Sequence, residues 1–185
     1  VLGLWLLALG IFAATLPARV GAPSTLARLG RQEAPALSLL LIAALLVRGV
    51  ALGRVPANFG GDEGTQALLS LQLVERPLGN PFATSWYSVP TLSFLLYGAA
   101  MRLFGAGMAG ARALSALVGT LTVLTTFLLA REMGGRRVGW AAALVVAFSA
   151  YHLHFSRLAS NQIFDPLIAT LTFWQLWRAL YSGVE

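Results

Sequence analysis

Two aspartates stand in the chain, Asp62 and Asp165, each where a polar stretch meets an apolar run. A carboxylate placed there can do two kinds of work. It can cap a helix by accepting a backbone N–H. It can also act on a bound molecule, because acidic groups are costly at membrane depth and tend to line cavities where they occur. Capping suits both residues: Asp62 precedes a helical stretch opening near Thr65, and Asp165 precedes Pro166, a residue type that fits a first helical turn. The two roles are not exclusive, and residue type alone leaves both open. Glu63 follows Asp62 directly. Arg112 and Arg157 are cations that could meet phosphate oxygens, against the plainer reading of arginines that snorkel to lipid headgroups. His152 and His154 stand two residues apart and point to different faces of a helix. His154 with Asp62 and Asp165 could offer a divalent cation a place, but interfacial polar side chains are the simpler reading, and no resident metal is expected. Trp86, Tyr87 and Tyr151 fall at span edges, where aromatic-belt residues are commoner than sugar-stacking platforms.

The elements that must position these groups follow from composition. Of the 185 residues, 57% are hydrophobic and only 11% charged, against about a quarter charged in soluble globular domains. Long apolar runs recur with short polar gaps, so the runs form spans and do not wrap one water-facing core. All thirteen basic residues are arginines and lie between the runs, not in one block. That distribution argues against a nucleic-acid surface and follows the rule that basic loops stay cytoplasmic. No cysteine is present, so thiolate metal sites are excluded. The chain opens inside an apolar run, Val1–Leu16, with no basic leader or small-residue cleavage site. It therefore reads as the remainder of a span and not a signal peptide, and the chain as part of a longer protein.

Residues 1–35 read as a partial N-terminal span and a cytoplasmic loop carrying Arg19, Arg28 and Arg31. Spans are expected at about 36–55, 111–130, 138–155 and 166–182, with an outer loop over 58–105. Arg48 and Arg54, near the end of the first, must snorkel or find partners. Within the outer loop, Thr65–Glu75 has an amphipathic pattern that suits a helix on the membrane surface. Thr91–Phe104, between Pro90 and Gly105, is too short to cross and is expected to lie at the interface. This arrangement puts Arg131, Arg136 and Arg137 on the cytoplasmic side and both aspartates outside. The fold class is therefore all-α: polytopic transmembrane helices with juxtamembrane amphipathic helices in the first outer loop.

The run Asn58-Phe-Gly-Gly-Asp62-Glu63-Gly64, followed by an amphipathic helix, resembles the first outer loop of GT-C glycosyltransferases of the protein O-mannosyltransferase and aminoarabinose-transferase type. The resemblance extends through most of the chain after about Ala36. Trp86 to Pro90 is similar to the family's stretch before its second juxtamembrane helix. Phe104-Gly105 and then Gly110 to Leu117 are similar to its Phe-Gly and Arg-containing span entry. His154 to Arg157 with Asp165-Pro166-Leu167 resembles the outer loop that holds a second acidic residue.

What the resemblance implies is transfer, with inversion, of a sugar from a polyprenyl-phosphate donor to an acceptor on the outer face of the plasma membrane, in a multi-pass protein. Asp62 would be the general base that deprotonates the acceptor, with Glu63 and Asp165 as further catalytic carboxylates and Arg112 and Arg157 as the donor-phosphate ligands. The sequence departs from the family pattern in one respect: Ser88-Val89 precedes Pro90 where some members carry Glu-Lys, and the chain contains no lysine. Phosphate recognition must then rest on arginine, and the donor sugar does not carry over. Two other classes fit the spans: a non-catalytic integral subunit with partners in a larger membrane complex, and a fragment of a transporter. The transporter reading lacks internal repeats and helices interrupted at mid-membrane.

Overall fold

The computed structural model describes residues 29–30, 33–75, 84 and 88–181. The apolar run at Val1–Leu16, Arg31, and the aromatic pair Trp86 and Tyr87 lie outside them. Among the described residues the chain is helical, with no strand and one isolated bridge between Thr84 and Pro90. The helices are α1 (Glu33–Gly49), α2 (Gly61–Val74), α3 (Thr91–Phe104), α4 (Met108–Phe148), α5 (Ala150–Phe155) and α6 (Phe164–Tyr181), with a 3-10 turn at Asn161–Ile163 before α6.

The 41-residue α4 is two arms. Gly135 adopts φ 81°, ψ −176°, a conformation closed to residues with a Cβ, and the chain doubles back there. Phe127 and Trp140 consequently pack edge to face with centroids 5.1 Å apart. A Cβ on Gly139 would stand 2.8 Å from that of Arg131. α4 is the one helix among the described residues long and apolar enough to cross a membrane. From Arg112 to Arg131 its first arm rises about 28 Å, close to the thickness of a hydrocarbon layer.

Long-range pairs orient the other helices around this hairpin. α1 buries a single stripe, Glu33, Leu37, Leu40, Ala44 and Arg48, the spacing of one helical face. Glu33 meets Arg131 at 2.8 Å and Arg136 at 3.1 Å at the Gly135 end. Arg48, at the opposite end of α1, donates to Ala147 O and Val146 O. α1 therefore runs beside the second arm in the same direction. α6 follows the first arm, since Thr170 bonds Thr125 at 2.7 Å and Arg178 approaches Glu132 at 4.0 Å. The core between them holds Leu37, Leu40, Ala44, Val123, Phe127, Leu128, Ala143, Ala147 and Trp174. Leu39, Ile42, Leu46, Val145, Ile168, Phe173 and Leu180 are all more than half exposed. An outer apolar surface of that extent is foreign to soluble monomers.

Arg48 neither snorkels nor has a carboxylate partner, yet it is completely buried. The break between α4 and α5 at Ser149 (φ −59°, ψ 123°) interrupts the helical ladder. Carbonyls freed by that break become the acceptors, with Ala44 O, Ser156 Oγ and His152 Nδ1 taking the remaining N–H groups. Because a guanidinium only donates, His152 Nδ1 accepts and its proton sits on Nε2.

α2 and α3 cover the other end of the bundle. Gly98 lets α3 approach α2 closely, because a Cβ there would clash with Ser70 O and Val74. Tyr97, Met101, Ala67, Ala111 and Ala159 form the cluster beneath them. α3 has 14 residues, about 21 Å of rise, short of a crossing. Its Leu92, Leu96 and Ala99 point away from the protein, while Phe94, Tyr97 and Met101 point in. α2 begins four residues before the expected Thr65 and takes Asp62 and Glu63 into its first turn, where carboxylates face the positive end of the helix dipole.

Candidate active site

The site residues gather at the end of the bundle away from Gly135. Glu63 is buried and bidentate to Arg112: Nε donates to Oε1 at 2.7 Å and Nη2 to Oε2 at 2.8 Å. Arg112 Nη1 also donates to Leu52 O and Pro56 O, and Nη2 to Asn58 O, each at 2.8–2.9 Å. Those contacts use all five N–H groups of the guanidinium, and the Phe59 ring lies 5.5 Å from it. Ala159 N donates to Glu63 Oε1 at 2.8 Å. One ion pair thus ties α2, the first turn of α4, and two loops together.

Arg157 is also committed. Nη1 donates to Val47 O and Arg48 O, and Nη2 to Val50 O and Val55 O. These are the open carbonyls at and beyond the C-terminus of α1, a place where arginine is favoured. Burial, and after it the charge of Arg112, lower the Arg157 pKa from its ordinary value. Neither arginine offers a terminal nitrogen that is not already donating inside the protein.

Asp62, one residue before Glu63, is exposed. It is not the cap, since that position belongs to Gly60, which makes no side-chain bond. Its carboxylate lines a cavity of about 790 Å³ bounded on one side by Asn58, Gly60, Gly61, Asp62, Glu63 and Gln66, and on the other by His154, Phe155 and the stretch from Leu158 to Gln162. His154 opens onto this cavity while His152 turns to Arg48, the divergence expected from their spacing. Asp165, in the first turn of α6, is exposed at the same end of the bundle but not part of the cavity wall. No group of three metal-ligating side chains occurs among the described residues.

Two features of the wall escape sequence reading. Gln66 and Asn161 exchange side-chain amide bonds at 3.3 and 3.4 Å across the cavity floor. Tyr97 holds the opposite loop: its hydroxyl donates to Ser160 O at 2.8 Å, accepts from Ser160 N at 3.1 Å and pairs with Ser115 Oγ at 2.6 Å. Burial pushes the Tyr97 pKa up, so the phenol keeps its proton and remains a donor. A tyrosine inside a short apolar run is the signal that could have marked it, since a buried phenol needs partners.

A family model of dolichyl-phosphate-mannose-protein mannosyltransferases matches residues 88–184, more than half of the chain. The chain belongs to that family. No curated protein and no solved structure matches it. Family membership makes it a membrane glycosyltransferase of the mannosyltransferase kind that works from a polyprenyl-phosphate-linked sugar. The part matched to the mannosyltransferase family holds Arg112, His154, Arg157 and Asp165, whereas Asp62 and Glu63 stand before it.

Proposed function

We propose that this mannosyltransferase-family chain transfers the sugar of a polyprenyl-phosphate donor to an acceptor hydroxyl on the outer face of the plasma membrane, with inversion at the anomeric carbon, and that Asp62 is the general base. The family's description names protein acceptors, so a serine or threonine hydroxyl is the acceptor proposed. In the step, the hydroxyl oxygen forms a bond to the anomeric carbon as the carbon–oxygen bond to phosphate breaks. The hydroxyl proton passes to the Asp62 carboxylate, and the polyprenyl phosphate leaves as an anion. The observation that carries this reading is the division of labour between neighbours: Glu63 is spent on Arg112, while Asp62 faces an open cavity with no hydrogen-bond partner among the described residues. Arg112 and Arg157 take positioning roles, since their terminal nitrogens already donate inside the protein. Asp165 stands beside the site at the head of α6 and shapes its field without touching the acceptor.

The topology proposed with it has α1, both arms of α4, and α6 crossing the bilayer, α2 and α3 at the outer interface, and the Gly135 turn in the cytoplasm. The helices then wear their exposed apolar side chains against lipid, and the arginine-rich turn obeys the basic-loop rule.

The test is Asp62→Asn in the full-length protein, assayed with polyprenyl-phosphate mannose and a threonine peptide. Loss of about a hundredfold to ten-thousandfold in rate with unchanged thermal stability is expected. Near-normal transfer by Asp62→Asn would refute the base assignment.

A further inference from the structure

The wall of the Asp62 cavity has an unusual charge balance for an enzyme whose donor is an anion. Among the described residues it contains the Asp62 and Glu63 carboxylates and no arginine. The two arginines close by are turned into the protein by nine hydrogen bonds to backbone carbonyls and to Glu63. With Glu63 neutralised by Arg112, the charge facing the cavity is that of Asp62. The remaining polar side chains on the wall are the amides of Asn58, Gln66, Asn161 and Gln162, the Ser160 hydroxyl and the imidazole of His154. A phosphate diester is best met by cationic donors, and among the described residues of this wall there is no arginine. Amides, by contrast, donate and accept at once and suit the backbone of an extended peptide or the hydroxyl it carries.

From this balance we infer that the Asp62 cavity is an acceptor subsite that selects against acidic acceptors: it takes hydroxyl-bearing peptide whose flanking residues are neutral or basic, and rejects the same hydroxyl between carboxylates. The inference rests on the proposed transfer reaction and adds to it the chemistry of the acceptor. A second carboxylate brought into the cavity meets the Asp62 charge with no arginine among the described residues of the wall to balance it. Like charges set against each other at an interface are a principal means of excluding wrong partners. The half-enclosed wall raises that penalty above its value in open solvent. Basic flanks meet attraction instead.

The experiment compares three threonine peptides identical except that glutamine, glutamate or lysine flanks the threonine, each assayed with the full-length protein and polyprenyl-phosphate mannose. The kcat/KM of the glutamate peptide should fall about tenfold or more below that of the glutamine peptide, with the lysine peptide at least as good as the latter. Raising ionic strength should narrow the glutamate deficit. Gln162→Lys, which puts a cation on the cavity wall, should narrow it several-fold at low salt, a ratio that is independent of any general loss of activity in the variant. Equal use of the glutamine and glutamate peptides, with Asp62→Asn inactive on both, would overturn the inference while leaving the transferase reading intact. Failure of all three peptides as acceptors would overturn both. A deficit that neither salt nor Gln162→Lys alters would show that it arises from shape, and the electrostatic inference would fall.

Discussion

The Glu63 carboxylate grips Arg112 through two parallel hydrogen bonds of 2.7 and 2.8 Å, in a setting where Arg112 is fully buried and Glu63 nearly so. The pair joins α2 to the start of the long hairpin, and the backbone carbonyls of Leu52, Pro56 and Asn58 are gathered onto the same guanidinium. Its effect on Asp62 is indirect: it sets the angle of the first turn of α2, and so the direction in which the neighbouring carboxylate enters the cavity.

Removing one partner of a buried ion pair leaves the other charged and desolvated. Glu63→Gln and Arg112→Ala should each lower stability by about 3–5 kcal/mol, read as a drop in thermal midpoint of the purified protein in detergent. Arg112→Lys should not restore it, because an ammonium cannot supply five donors in that planar arrangement. A Lys variant as stable as the parent would contradict the role assigned to the fork.

Asp165 and Asp62 are separated by their surroundings. Asp62 lines the cavity, whereas Asp165 sits exposed in the first turn of α6 outside its wall. Asp165→Asn should therefore reduce kcat by at least about tenfold less than Asp62→Asn, given the usual size of general-base effects. Equal losses from the two substitutions would place Asp165 in the reaction.

Gly119 sits on the first arm of α4 against Ser156 and Arg48, and a Cβ there would clash with the Ser156 hydroxyl and come within 3.1 Å of Arg48 Nε. Gly119→Val should cost about 1–3 kcal/mol by overpacking. It should also displace Arg48 from the carbonyls of Val146 and Ala147. Thermal unfolding measures the first effect. Faster amide exchange around the Ser149 break measures the second.

The absence of cysteine makes topology directly measurable. A single Arg136→Cys should resist a membrane-impermeant thiol reagent applied to intact cells, while Asn58→Cys should react. Labelling of the Arg136 position from outside would invert the proposed orientation and move Asp62 to the cytoplasm.

Much of the architecture is local, and so is readable from residue order. Apolar runs bounded by arginine specify helices of a membrane class. Pro90 and Gly105 delimit α3 at Thr91–Phe104 because one restricts and the other releases the backbone at those positions. Near Asp62 local reading falls short by one turn: the amphipathic pattern opens near Thr65, yet α2 starts at Gly61. That Gly60 and not Asp62 holds the cap position, and the fate of Arg48, Arg112 and Arg157, were decided only in three dimensions. Arg112 finds its carboxylate 49 residues away, Arg157 its carbonyls more than a hundred away, and Arg48 its acceptors across a helix break on another arm. An arginine's type and depth say that it needs partners. Which groups become its partners depends on how the chain closes, because a guanidinium binds whatever acceptors folding leaves unpaired within its reach.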